Sequence, residues 1–184
     1  MFDKLLNSIS EDRSMRDRLQ NILVEKKVPP KTVLLHEGDI ANEIYIVKEG
    51  CLREWFNKDG KDITFQFFFE GKPVASIDSF VNQKPSLFTI ESIEPSTLIS
   101  LEQKEFNKLL VASPDFKDRF QEFIFQRFSD YGQLFLSRIK DSPTERYEEL
   151  IKTHPEIIRR IPQHYIASYL GITSVSLSRI RNRR

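Results

Sequence analysis

The chain holds one cysteine, Cys51, in 184 residues. A single thiol excludes an intramolecular disulfide framework, and it cannot build a cysteine-based metal site within one chain. A small strand residue is the role expected of it. Histidine is nearly as scarce: His36, His154 and His164 are scattered and make no metal-ligand spacing. No metal site and no catalytic residue is assigned, because no Ser/His/Asp ordering, phosphate-gripping glycine loop or paired carboxylate stands out. The chain is therefore not read as an enzyme. Asp78, Glu91 and Glu94 read as solvated strand or turn residues. A run of about 18 apolar residues is also missing. The N-terminus, MFDKLLNSISEDRS, lacks a basic flank followed by an apolar stretch. A cytoplasmic protein without a membrane partner is the expectation.

What is present is an ordinary globular composition, 39% hydrophobic and 30% charged, which excludes wholesale disorder. Phenylalanine occurs 15 times, so cores and interfaces should be aromatic-rich. Residues 2–24 read as helix, with Phe2, Leu5, Leu6 and Ile9 on one face. Ser8 or Ser10 can cap a second helical stretch carrying Met15, Leu19, Ile22 and Leu23. Val28-Pro29-Pro30 stops it, because consecutive prolines cannot continue a helix. From Lys31 to Glu102 the texture changes to short alternating runs: 32–36, 43–48, 52–57, 62–69, 87–93 and 97–101. Lys58-Asp59-Gly60 is a strong hairpin signal between two of them. So many short strands at close spacing predict a small antiparallel barrel or sandwich.

Helical spacing then returns. Residues 102–111 form a short helix ending near Ser113-Pro114. Residues 115–140 are the longest helical run, interrupted only by Gly132. Phe120, Ile124, Phe128, Tyr131, Phe135 and Ile139 recur along it at steps of three and four, widened by Phe116, Phe123 and Leu134. A stripe that long needs a partner surface, and pairing with a second copy is the economical one. Ser142-Pro143-Thr144-Glu145 starts a further helix, and Pro155 separates it from the last segment.

That segment, PQHYIASYLGITSVSLSRIRNRR from Pro162, is two short helices about a glycine. Ile166, Ala167 and Leu170 mark the first, Gly171 supplies the positive φ of a sharp turn, and Thr173 caps the second. Val175, Leu177 and Ile180 are its apolar positions. Its exposed side carries Ser174, Ser176, Ser178, Arg179, Arg181, Arg183 and Arg184. From Pro155 on there are six Arg and one Glu, a charge of +5 in a chain whose total is +1. This is the pattern of a helix-turn-helix that lays its second helix in a DNA major groove.

A roll of strands, a long helix and a helix-turn-helix, in that order, resemble the Crp/Fnr superfamily of bacterial transcription regulators. The run from Gly38-Asp39 through Ile44-Tyr45-Ile46 to the closing Gly50 resembles the family's glycine-strand-glycine signature. IASYLGITSVSLSRIR resembles its DNA-reading motif. The resemblance implies an α+β fold: N-terminal helices and an antiparallel β-roll (a double-stranded β-helix), a dimerisation helix, and an all-α helix-turn-helix domain lacking a full wing. The expected domains are 1–112 for the effector, 113–140 for dimerisation and 141–184 for DNA. Double-stranded DNA and a second copy are the implied partners, and RNA polymerase is a further one to be tested. By position, Ser174, Val175 and Arg179 match the residues that touch bases, with Thr173, Ser176 and Ser178 nearby and Arg181, Arg183 and Arg184 on phosphates.

Cyclic-nucleotide-binding members carry a Gly-Glu pair followed some ten residues later by an Arg, the carboxylate for a ribose hydroxyl and the cation for the phosphate. Here the stretch runs from Gly71 through Ala75, Ser76 and Ile77 to Lys84, Ser86 and Leu87. Ala75 replaces the glycine, Ser76 the glutamate and Ser86 the arginine. A buried cyclic phosphate would be poorly compensated there. Cyclic AMP is thus expected to bind weakly or not at all, no cofactor is assigned, and the effector is left open. The alternative function is a degenerate sensor or protein-interaction module without sequence-specific DNA reading.

Overall fold

The structure, a computed structural model, describes residues 13–182. The helical stripe of Phe2, Leu5, Leu6 and Ile9, its serine caps, and Arg183 and Arg184 lie outside the described residues, as does the side chain of Met15. The first described element is helix α1 (Arg13–Ile22), and eight strands follow: β1 (Val24–Val28), β2 (Val33–Leu35), β3 (Glu43–Glu49), β4 (Leu52–Lys58), β5 (Lys61–Phe68), β6 (Pro73–Val74), β7 (Thr89–Ser92) and β8 (Ser96–Glu102). A short helix α2 (Ile77–Asn82) interrupts them. Then come α3 (Gln103–Ala112), α4 (Pro114–Lys140), α5 (Pro143–Thr153), α6 (Pro155–Arg160), α7 (Gln163–Leu170) and α8 (Ser174–Asn182). The strands make two four-stranded sheets, ordered β1-β8-β3-β6 and β2-β7-β4-β5. This is the antiparallel β-roll with a long helix that the family resemblance implies; strand spacing alone predicts only a small antiparallel barrel or sandwich.

The chain divides into two compact units. One holds residues up to Glu54 together with Phe68–Ile124; the other holds Trp55–Phe67 together with the residues from Phe125 on. In the first unit the core gathers Leu19, Tyr45, Leu52, Phe68, Ile90 and Leu98. Phe106 centres an aromatic cluster, its ring edge-on to Phe80, Phe116 and Phe120 at 5.1, 5.6 and 4.8 Å. In the second unit Ile166, Ala167, Leu170 and Leu177 are buried at the seam of α7 and α8. Ala167 has no side chain beyond Cβ, which lets two short helices approach closely.

Local signals placed most boundaries. Asp59 and Gly60 both adopt positive φ, 52° and 78°, the conformation of a two-residue hairpin turn between β4 and β5. Ser142 and Glu145 form a reciprocal capping box at the start of α5, with bonds of 2.7 and 3.3 Å.

Elsewhere the structure corrects the sequence reading. The N-terminal helix ends at Ile22, and Val24–Val28 is strand, paired antiparallel with β8 from Val24↔Ser100 to Val28↔Ser96. The free edge of β8 satisfies its backbone with this segment, which outweighs the helical spacing before it. Strand β7 starts at Thr89, not Leu87, because the Ser86 hydroxyl folds back on Phe88. Elements α2, β6 and α6 are too short to show periodicity and went unread. Glu91 is buried, not solvated: Arg53 donates to its carboxylate at 2.9 Å. Val175 is not an inner apolar position of α8 but is 61% exposed.

Candidate functional site

Helices α7 and α8 are joined by Gly171, whose φ of 70° is the left-handed conformation that Gly adopts without strain. Its N–H donates to the Ser168 carbonyl and that of Ile172 to Ala167, so the last turn of α7 is closed without side chains. The Thr173 hydroxyl accepts from the Ser176 N–H at 3.1 Å and caps α8. Turn and cap together set the angle at which α8 leaves.

That geometry sorts the expected DNA-facing residues. Ser174, Val175, Ser178, Arg179 and Arg181 are exposed. Ser176 is half-buried, and its hydroxyl lies 3.0 Å from that of Thr173, so both belong to the cap as much as to the surface. Helix α8 carries no acidic residue, and among the described residues no ion pair engages Arg179 or Arg181. The outward face is therefore hydroxyls, one methyl-bearing side chain and two uncommitted guanidiniums.

The long helix divides its predicted stripe. Phe120, Ile124 and Tyr131 are half-buried, whereas Phe128, Phe135 and Ile139 are 77%, 65% and 68% exposed. Phe125 and Leu136, which the sequence reading passed over, are exposed beside them. Phe125, Phe128, Gly132, Phe135 and Ile139 stand three or four residues apart, the spacing of a coiled-coil seam. Gly132 sits mid-seam with open space where a side chain would be.

The expected effector residues are dispersed in their roles. Ala75, Ser76 and Ser86 are buried, Ile77 is half-buried, and Gly71, Lys84 and Leu87 are exposed. The Ser86 hydroxyl is spent on its own turn, donating to the Phe88 carbonyl at 2.7 Å and accepting its N–H at 3.1 Å. The Ser86 backbone pairs with the loop at Gly38 and Asp39 through two bonds of 2.8 Å. Ser76 begins α2 without a side-chain capping bond.

Cavities of two kinds are found among the described residues of the first unit. One, about 280 Å³, is walled by Leu19, Ile44, Ile46 and the phenylalanines of α3 and α4; Gly71 is the one expected effector residue on it. The other, about 270 Å³, is polar, with His36, Asp39, Asn42, Glu43 and Tyr45 among its lining. Burial opposes ionisation of Glu43, but hydrogen bonds from Lys26 and Tyr45 outweigh it and hold the carboxyl below its usual range. Burial, with the Glu43 charge beside it, raises the Tyr45 phenol. The Glu43 charge in this lining is already paired with Lys26. Among the described residues no group of three or more His, Cys, Asp or Glu could hold a metal ion.

Residues 25–113 match the family model of the cyclic nucleotide-binding domain. Roll and match together define a cyclic nucleotide-binding-domain fold over these residues. Among solved structures the chain resembles a Crp/Fnr family protein from Eubacterium rectale, proposed to be a transcriptional regulator. The TM-score is 0.76 at 18% identity, over 94% of this chain and 82% of that one. It also resembles FixK2 from Bradyrhizobium japonicum, at 0.75 and 16% over 88% and 84% of the two chains. The c-di-GMP-responsive global regulator CLP of Xanthomonas campestris gives 0.74 and 15% over 94% and 91%. These likenesses establish the fold. No curated protein matches the chain in sequence.

Proposed function

We propose that the chain is a homodimeric, DNA-binding transcription regulator of Crp/Fnr type whose roll does not respond to cyclic AMP. The observation that carries it is the outward face of α8: Ser174, Val175, Ser178, Arg179 and Arg181, without an acid, behind a buried seam. Serine hydroxyls bond base edges or phosphates, and Arg179 can fork onto a guanine. The exposed seam from Phe125 to Ile139 supports the dimer, because large aromatic side chains in water call for a second apolar surface. A two-fold pair would offer two copies of α8 to successive major grooves, about one helical turn apart. The three-part order stands as the reading of the domains: roll, dimer helix, DNA-binding segment. RNA polymerase contact and a cytoplasmic location belong to the same reading; among the described residues no helix is long and apolar enough to cross a membrane.

The cyclic AMP part of the reading rests on residues 75–87. Ser86 uses its hydroxyl on Phe88, and Lys84, the nearest cation in the sequence, is exposed. Within residues 75–87 the one cation is the exposed Lys84, and hydroxyls and amides alone do not offset the cost of burying a phosphate.

Selection of bound duplexes from a random-sequence pool at near-physiological salt tests the function. A two-fold-symmetric motif is expected, with affinity changed less than about two-fold by cyclic AMP. Recovery of unpatterned DNA would overturn the DNA-reading assignment in favour of an interaction module.

A further inference from the structure

We infer that the tip of the β4–β5 hairpin is a strap that positions the α7–α8 pair, with Ser168 as its buckle; the inference rests on the DNA-reading function proposed above. A serine inside a helix is ordinarily a weak point, since its hydroxyl competes for the helix's own carbonyls. Ser168 does something else. Its hydroxyl accepts the Thr64 N–H and donates to the Asp62 carbonyl, each at 2.8 Å. Thr64 and Asp62 belong to β5, the end strand of its sheet, so one side chain of α7 satisfies a donor and an acceptor of an open edge.

The same strand is held by rings. Phe65 and Phe67 stand two residues apart and share a face of β5. Phe67 packs on Tyr169 of α7, and Phe65 on Tyr131 of α4, each at 5.4 Å between centroids. Arg127 of α4 donates to Gln66 at 2.9 Å and bonds the Tyr131 hydroxyl. The same C-terminal turn of α7 is gripped by two arginines as well: Arg138 donates to the Tyr169 carbonyl at 2.6 Å and Arg146 to the Leu170 carbonyl at 2.9 Å. Burial lowers the Arg138 guanidinium from its usual range, although the nearby Tyr169 partly offsets this.

An eight-residue helix is too short to hold its own axis. Its orientation is therefore set by what grips it, and all these contacts lie inside the second unit. Yet β4 and β5 begin and end in the first: Leu52–Glu54 and Phe68 belong there, while Trp55–Phe67 belong with α7. A change of twist in these two strands is thereby delivered to α7, and through the Gly171 turn to α8. No effector needs to be named for the strap to operate.

The test uses the full-length protein and the duplex that it selects. Ser168→Ala, checked for native circular dichroism, should bind that duplex about ten-fold more weakly, which is 1.4 kcal/mol. Affinity for random duplex, which needs only charge, should be unchanged. Ser168→Thr, which keeps the hydroxyl, should return the affinity to within about two-fold of wild type. Phe67→Leu, which keeps an apolar side chain but not the ring stack, should repeat the pattern of Ser168→Ala. Amide hydrogen exchange of the DNA-free protein should quicken in α7 and α8 in Ser168→Ala. Equal losses on selected and random duplex, failure of threonine to rescue, or unchanged exchange would each overturn the strap. If wild type selects no motif, the DNA reading fails, and the exchange measurement alone decides the strap.

Discussion

Gly50 shows how tightly single positions of the roll are held. Its φ is 101°, and a Cβ built there would come within 2.3 Å of the Ser96 hydroxyl and 2.8 Å of the Pro95 carbonyl. Both the backbone and the space require glycine. Gly50→Ala is expected to cost about 2–4 kcal/mol, the strain of a left-handed alanine plus the shift of β8. Gly60→Ala, at φ 78° but in open space, should cost only about 1–2 kcal/mol. Urea unfolding of the two variants measures the difference; equal losses would mean that Ser96 gives way freely. The turn glycines were readable in the sequence because their neighbours are turn residues. The Arg53–Glu91 pair was not. Both residues sit in strands where charge ordinarily faces water, and only the tertiary fold, leaving Arg53 at 2% exposure, makes them partners.

At the scale of elements, α4 carries the clearest division between what periodicity tells and what it leaves open. Steps of three and four name the apolar residues of a helix, but not which of two adjacent stripes faces the chain itself. Phe116 is buried and Phe120 and Ile124 half-buried, whereas Phe125, Phe128, Phe135, Leu136 and Ile139 are left outward. Phe128→Glu is expected to convert the proposed dimer to monomer in sedimentation, because a carboxylate at the seam would be buried without a partner. Asp130→Ala, off the seam and exposed, should leave the dimer intact. A dimer surviving Phe128→Glu would move the interface elsewhere. Short elements behaved differently: α2, with 6 residues, and β6, with 2, have too few positions for any period to appear. Strand β1 is masked by helical spacing because its partner β8 is distant in the chain, from Val24↔Ser100 to Val28↔Ser96.

For the whole molecule, charge decides the expected behaviour toward DNA. The chain is nearly neutral at +1, with six Arg and one Glu from Pro155 on. Affinity for DNA should therefore fall steeply with salt, as counterion release requires, in proportion to the phosphates engaged. Arg181→Ala should lower the log–log slope by about two per dimer, one for each copy of α8. A salt-independent affinity would remove phosphate contacts from the account.

Alternation in the strands, the Asp59-Gly60 turn, the Ser142 capping box and the Gly171 bend were determined by the sequence itself. Each is a local preference that acts over a few residues. The division of α4 into inward and outward stripes, the burial of Arg53 with Glu91, and the bond between Ser168 and β5 were decided only by tertiary structure. These join residues 38 to 106 positions apart, or choose between faces that periodicity alone makes equivalent. No local pattern in the chain encodes such contacts, because the free energy that selects them appears only once both surfaces leave water together.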